Sequence, residues 1–401
     1  MNLNVNANAL LERLLINIER AKEEIFATNM FDVANAKEIG KDAAFLERLT
    51  ISGTTFTSML QSLKSIIAQP SPIGNVLEEW IVPHNGLKIQ RISCPIGRIL
   101  IIYESRPNVT LDAFALCFKS GNKCILRGGS ESVLTSSKIV EIIHTTFDEL
   151  NLSNIKSDFV QYIENSDRQH LVSILKKHDE IDLVIPRGGK GLIQFISENT
   201  TIPVLKHLDG NCHTYIENSA NPEKAIAVLV NAKMRRVSVC GATESLVLDE
   251  NFAKLHLKHI VDLMENCEFV GCENSIAIDD RIQQAAEEDF YTEFLSAKIS
   301  VKIVQNVDQA IDFVNKYSSK HTEAILSENP DAVAKFKEEI QSAIVIHNGS
   351  TQFADGYEFG FGGEIGISTG KLHARGPVAL RELTTYKSFV EPADGGYKVR
   401  R

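Results

Sequence analysis

Two periods alternate along most of this chain, and that alternation limits its fold more than any other feature. "GRILIIY" gives way to the helically spaced "VTLDAFALCFKSG", "KCILR" to a helical run over about 130–150, "FVQYI" to "DRQHLVSILKKH", and "IDLVIP" to a helix after Gly191. Short runs that are apolar throughout must be covered on both faces, and a strand–helix–strand connection lays successive strands parallel. The pattern predicts an α/β architecture, a parallel sheet with helices on both sides. A second series starts near Ser245 with "SLVLDE", continues through "SIAID", "VKIV" and "SAIVIH", and ends in the Gly-rich "DGYEFGFGGEIGISTG". Ahead of both, residues 8–68 carry apolar positions at helical spacing, such as Leu10, Leu11, Leu14, Leu15 and Ile18, interrupted at Gly40 and Gly53. Between this helical opening and the run from Ile99, Asn85-Gly86 is a two-residue turn signal with strand-like flanks, so a hairpin is expected there.

The 401 residues suggest two to three domains, and no internal repeat or long linker separates them. The net charge of -10, with no basic tract to offset it, argues against nucleic acid as a partner. The seven cysteines (94, 117, 124, 212, 240, 267 and 272) are odd in number, widely scattered and never spaced C-x-x-C, so neither a disulfide framework nor a zinc ribbon is indicated, and no metal site is expected. The first apolar run contains charges and reads as an amphipathic helix, not a signal peptide. No apolar run approaches the ~20 residues that span a bilayer. A cytoplasmic enzyme with reduced thiols and a small-molecule substrate fits these bounds, and an anionic substrate would need a local basic pocket.

Cys240, in "RRVSVCGATE", ends a short β-branched run just before a glycine. Most cysteines fill cores. Here Arg235 and Arg236 lie upstream and Gly241 permits a tight turn, so a cation can favour the thiolate and a backbone N–H can face a developing oxyanion. Cys117, Cys124, Cys267 and Cys272 sit in apolar patterns and read as core, whereas Cys212, in "HLDGNCH", is surrounded by histidines and resists the same dismissal. His207 and His213 bracket that loop and either line a cleft or cap a turn. "KLHARGP" offers His373 and Arg375 as a carboxylate clamp or a surface turn. No G-x-G-x-x-G stands at a strand-to-helix junction. Two glycine pairs do: Arg127-Gly128-Gly129 and Arg187-Gly188-Gly189-Lys190, each an anion site at a helix start or an ordinary turn.

Taken together and in order, "YESRPNVTLDAFALCFKSGNKCILRGGSES", "IPRGGKGL", "VLKHLDGNCHTYIE", "NAKMRRVSVCGATESLVL" and "FGFGGEIGISTGKLHARGP" resemble the γ-glutamyl phosphate reductases, or glutamate 5-semialdehyde dehydrogenases, a branch of the aldehyde dehydrogenase superfamily. The likeness covers nearly the whole chain. It implies an aldehyde-dehydrogenase-like fold of two Rossmann-like α/β domains plus a β-ribbon oligomerisation arm. Residues 1–235, with a hairpin arm at about 80–95, would be the NADP-binding domain, 236–379 the catalytic cysteine domain and 380–401 the oligomerisation arm and C-terminal tail. The hairpin and tail would pair across a subunit interface in a homodimer or homotetramer.

The implied reaction is NADPH-dependent reduction of L-glutamyl 5-phosphate to the 5-semialdehyde and phosphate, in proline biosynthesis, through a thioacyl intermediate on Cys240. By the same resemblance Asn108 of "SRPN" is the oxyanion amide, Arg127 sits at the adenosine ribose, Gly188, Gly189 and Lys190 at the pyrophosphate-side helix start, and Glu364 of "GGEIG" at the nicotinamide ribose. Arg106, His207, His373 and Arg375 are the substrate-binding candidates, and glutamate 5-kinase is the implied partner for substrate transfer. The family's segment before the nucleophile often reads "RPGVCNA"; "RRVSVCGA" keeps the thiol but weakens any role for Arg235 and Arg236. Hydrolytic aldehyde dehydrogenases carry a water-activating glutamate in an E-L-G-G pattern, at the position where this chain has His207. Two alternatives stand beside this reading: a related acyl-phosphate or aldehyde oxidoreductase with another acyl donor, and a catalytically silent nucleotide-binding relative.

Overall fold

A computed structural model describes residues 6–206 and 209–400. The chain divides into two compact units. One runs to Leu205 and takes back Gly360–Gly366 and everything from Val378; the other is Lys206–Phe359 with Ile367–Pro377.

In the first unit, helices Ala7–Arg20, Lys22–Glu38, Ala43–Leu49 and Gly53–Ala68 form the expected helical opening. Gly40 follows the second of them in the left-handed region (φ +77°), where glycine is unstrained, and Gly53 opens the fourth instead of breaking it. Strands β1 (Val76–Ile81) and β2 (Leu87–Pro95) make the hairpin, but its loop spans residues 82–86, with Gly86 at φ +65°, so the turn is longer than the two residues expected. Strand β3 (Arg98–Tyr103), β4 (Lys123–Arg127), β5 (Val160–Tyr162) and β6 (Leu183–Arg187) form a parallel sheet in the order β5-β4-β3-β6. Leu100 and Ile102 of β3 face one cluster with Leu171, Ile174, Leu175 and Ile196; the buried Ile99 and Ile101 point to the opposite face, as period-two alternation requires.

The order reverses at β3, which has β4 on one side and β6 on the other. Such a switch point leaves a crevice beyond the strands' carboxyl ends. Asn108 and the glycines of the Arg187-Gly188-Gly189 turn follow those ends directly. The C-terminal strand Thr384–Pro392 pairs antiparallel with β2 of the same chain. The pairing expected across a subunit boundary is therefore made within one chain.

The second unit holds β7 (Cys212–Ile216), β8 (Thr243–Asp249), β9 (Glu268–Gly271), β10 (Gln283–Gln284), β11 (Lys298–Val304), β12 (Thr322–Leu326) and β13 (Ile344–His347), all parallel, in the order β10-β9-β11-β8-β7-β12-β13. Alternation again sorts the core. Ile216, Leu246, Leu248 and Leu326 face helices Pro222–Met234 and Glu250–Leu263, while Tyr215, Val247 and Ile325 face helices Val307–Tyr317 and Pro330–Glu339. Asn221 caps the helix opened by Pro222, and Asn329 the one opened by Pro330, the side-chain oxygen accepting an N–H that the helix itself leaves unpaired.

One strand expectation needs correction. "SIAID" belongs to a short helix, Glu273–Ile278, because β9 already fills the place in the sheet just before it; Ile276 and Ile278 pack against the core cluster. The boundary between the compact units falls at 205/206, since β7 lies between β8 and β12 in the second sheet, and Gly360–Gly366 belongs with the first unit.

Candidate active site

Cys240 lies on a turn between helix Pro222–Met234 and β8, and its side chain is half-buried. The turn is anchored from several directions. At its base Lys233, the helix's penultimate residue, forms an ion pair with Glu244, four residues past the thiol, and both side chains are fully buried. Glu244 also accepts the Leu295 N–H at 3.3 Å. Burial outweighs Lys233 and pushes the Glu244 carboxyl up to about 7. On one flank the buried Gln352 amide donates to the carbonyls of Ala232 (2.8 Å), Asn231 (3.3 Å) and Arg236 (3.4 Å), and its oxygen accepts Arg235 Nε at 3.0 Å. Arg235 is thus spent on holding the turn.

Cys212 and Gly210 lie on another side. Cys212 Sγ is 3.1 Å from the Cys240 carbonyl oxygen. A Cβ on Gly210 would come within 2.2 Å of that oxygen and 2.6 Å of Cys240 Cα, so only glycine allows the two backbones this approach. The β7–β8 ladder slips beside it: Cys212 opposes Thr243 and His213 opposes Ser245, leaving Glu244 unopposed. Such a bulge redirects a chain at the point where a sheet gives way to a loop. Cys240 therefore sits beyond the amino ends of β7 and β8, away from the carboxyl ends where open α/β sheets usually bind ligands.

In the first unit, Gly189 caps helix Lys190–Asn199, and its N–H donates to Glu104 Oε2 at 3.1 Å. A carboxylate of the chain itself occupies this position, where the helix start would receive a phosphate oxygen. A Cβ on Gly188 would lie 2.7 Å from Glu104 Cδ. Glu364 is carried by the Gly360–Gly366 segment, which is fastened to helix Gly53–Ala68: Gln69 donates to the Phe361 carbonyl, and Gly362 at φ +73° leaves no room for a Cβ beside Gln69 and Ser65. Arg187 Nη2 lies 3.9 Å from Glu364 Oε1. Arg127, at the end of β4, is buried; its Nη2 donates to the Ser166 carbonyl at 2.7 Å and its Nε has no partner.

The aldehyde dehydrogenase family model matches residues 11–277. Curated γ-glutamyl phosphate reductases from Erythrobacter litoralis and Brucella suis are 46% and 44% identical over 93% and 96% of this chain, covering 88% and 89% of their own lengths. The crystal structure of γ-glutamyl phosphate reductase from Thermotoga maritima superposes with a TM-score of 0.93 at 41% identity, over 98% of this chain and 94% of that one. The chain belongs to the γ-glutamyl phosphate reductases, within the aldehyde dehydrogenase family. Its fold is accordingly aldehyde-dehydrogenase-like.

The family's motif positions sort as follows. Arg187, Glu364 and the Gly188-Gly189 turn come together in the first unit, with Lys190 exposed at the first position of the helix. Asn108 is half-buried at the start of helix Val109–Lys119, where its side chain makes no capping bond. Arg106 is exposed nearby in sequence. In the second unit His373 is exposed, while Arg375 Nη2 donates to the Gln341 carbonyl at 2.7 Å and the Thr369 carbonyl at 3.4 Å, tying down its own loop. His207 lies outside the described residues. His213 is no cleft residue: it is fully buried, and Glu323 Oε2 faces its N–H at 2.8 Å and its Nδ1 at 3.0 Å.

Sequence reading overlooked Lys233, Glu244 and Gln352, since a lone charged or amide residue in a helical or strand-like run carries no local sign of burial. Asp112 was also overlooked, though one turn after Asn108 an acidic residue inside "VTLDAFALCF" is an anomaly that invites a partner. Among the described residues no group of three or more His, Cys, Asp or Glu is arranged to hold a metal. A largely apolar groove of about 790 Å³ lies between helices Pro222–Met234 and Glu250–Leu263, lined by Ile226, Val230, Met234, His259 and Leu263 among others. None of its lining residues is a cysteine.

Proposed function

We propose that this chain reduces L-glutamyl 5-phosphate to L-glutamate 5-semialdehyde and phosphate, with NADPH, through a thioester on Cys240. The observation that carries the reading is the held turn. Of the seven thiols, Cys240 alone lies on a loop anchored by a buried ion pair, a buried amide and a close glycine; Cys117, Cys124, Cys212 and Cys267 are buried. Burial raises the Cys212 thiol well above its ordinary range and the Cys267 thiol to about 12, which disqualifies both as nucleophiles.

In the proposed chemistry, Cys240 Sγ bonds to the γ-acyl carbon as the carbon–oxygen bond to phosphate breaks. The Cys240 backbone N–H, and by the family motif the Asn108 amide, stabilise the oxyanion; losing such a donor typically slows turnover ~10²–10³-fold. Bound NADPH supplies the hydride that reduces the thioester. The carbon–sulfur bond then breaks, and the Cys240 thiolate leaves with the aldehyde free.

The first unit's residues suit a dinucleotide. By the family motif the Gly188-Gly189 turn meets the pyrophosphate, with Glu104 holding the Gly189 N–H in this structure, and Arg127 at the end of β4 is the basis of the expected preference for NADPH over NADH. No carboxylate stands at His207, so the thioester is spared hydrolysis. A cytoplasmic homo-oligomer receiving its substrate from glutamate 5-kinase completes the reading.

The test runs the reaction backwards. With semialdehyde and NADP⁺, oxidation should require added phosphate and form little free glutamate without it. Cys240→Ala should abolish turnover and leave NADPH binding intact, and Arg127→Ala should erase most of the discrimination between the two cofactors. Rapid glutamate release without phosphate, or an active Cys240→Ala enzyme, would overturn the mechanism.

A further inference from the structure

We propose that Cys212 is a positioning residue: by donating its S–H to the Cys240 carbonyl, it holds the turn in the conformation that presents the Cys240 thiol. The inference rests on Cys240 being the nucleophile, and it assigns a function to the one other thiol that touches the turn.

Three observations carry it. The Cys212 Sγ to Cys240 oxygen distance is 3.1 Å, and Cys212 is fully buried, so no water competes for that carbonyl from the Cys212 side. The thiol also meets His321 Nδ1, at 3.6 Å, and that nitrogen lies 2.8 Å from the Thr322 hydroxyl. The shorter contact, to the carbonyl, is the one that fixes the turn. Second, the backbone on the Cys212 side closes in on Cys240. Cys212 N–H donates to the Gly210 carbonyl at 2.8 Å, and Gly210 approaches Cys240 so closely that a Cβ there would overlap the Cys240 carbonyl. The carbonyl thus has a fixed place as well as a donor. Third, Cys212 is the last residue before the β7–β8 ladder slips, so regular pairing ends at this point and cannot itself define the turn. The side chain supplies what the ladder lacks.

The chemistry favours a thiol that never ionises. Burial, with Glu323 and Cys240 adding to it, raises Cys212 well above its ordinary range, so it remains a donor at every pH where the enzyme works. It neither competes for the acyl group nor places a second negative charge beside the nucleophile.

Cys212→Ala removes the donor, and Cys212→Ser keeps one pointing the same way. In the phosphate-dependent oxidation of semialdehyde, Cys212→Ala should lower kcat about tenfold, the scale of one neutral hydrogen bond, with KM for semialdehyde and Kd for NADPH within about twofold of the parent. Alkylation of Cys240 by iodoacetamide, followed on its peptide by mass spectrometry, should slow in parallel. Cys212→Ser should recover kcat and alkylation to within about threefold. An unchanged kcat in Cys212→Ala overturns the proposal, and so does equal impairment of the Ala and Ser variants, which would mark sulfur volume as the requirement. If Cys212→Ala fails to fold, Cys212→Ser decides: near-parent kcat supports the proposal, and a tenfold loss overturns it. An active Cys240→Ala enzyme would instead sink the nucleophile reading itself, a result that no Cys212 variant can mimic.

Discussion

Burial pushes the Asp112 carboxyl up to about 6, against the opposing pull of the Ser62 hydroxyl at 2.8 Å and the charge of Arg187. For an acid whose folded pKa lies above its unfolded value, the folded state binds the extra proton. The group's contribution is complete below about pH 3.8 and is lost as the pH rises through about 6. Ionised Asp112 at pH 8 therefore costs on the order of 2–3 kcal/mol. Asp112→Asn keeps an oxygen for Ser62 and removes the charge. It should stabilise the protein at pH 8 and change little at pH 4, measured by urea denaturation at both. Equal midpoints for parent and variant at pH 8 would show that Asp112 is solvated well enough to ionise freely. The residue was legible in sequence only as an oddity, because its elevated pKa comes from burial, which only the packed fold supplies.

Helix Pro222–Met234 and strand β8 are joined through Lys233 and Glu244, both at 0% side-chain exposure. A buried pair offsets its own desolvation only while both partners remain. Lys233→Met should destabilise the protein by about 3–5 kcal/mol by stranding a buried carboxyl, whereas Lys233→Met combined with Glu244→Leu should recover most of that. Urea midpoints of the single and double variants check it; a double variant as unstable as the single would mean that the pair adds net stability. Because the two residues bracket Cys240, the double variant also tests function. If it is stable yet slow, the pair's main contribution is to the shape of the turn. The elements themselves were readable where periodicity was strong, as in β3, β4, β6, β8 and the helices that follow them. "SIAID" was misread because five residues of mixed polarity fit a strand and a helix equally, and only the neighbouring β9 settles the choice.

The three-stranded sheet of β1, β2 and Thr384–Pro392 leaves Val76, Leu77, Trp80, Ile81, Tyr386, Phe389 and Val390 exposed, several of them at half or more of their full accessibility. Arg91 lies over both Trp80 (5.7 Å) and Tyr386 (4.8 Å). An apolar ribbon of this kind is costly to leave in water, and burial against a second copy would remove that cost. Removing residues 388–401 cuts the last strand in half and should lower the oligomeric mass measured by light scattering. A stable monomer from the intact chain would refute an interface on this ribbon. Among the described residues no helix is long and apolar enough to cross a membrane.

Local chemistry was enough to determine the alternation of strands and helices, the two parallel sheets and the order of the family's motifs, and it singled out Cys240 as the candidate thiol. These depend on side-chain period, turn chemistry and short patterns, all of which lie within a few consecutive residues. Tertiary structure alone decided where the chain divides, that the tail pairs with β2 of its own chain, that Arg235 is engaged by Gln352, and that Cys212 reaches the Cys240 carbonyl. Each of these is a contact between residues far apart in sequence. A buried charge or thiol acquires its role only from the partner that the fold brings to it, and no pattern along the chain encodes that partner.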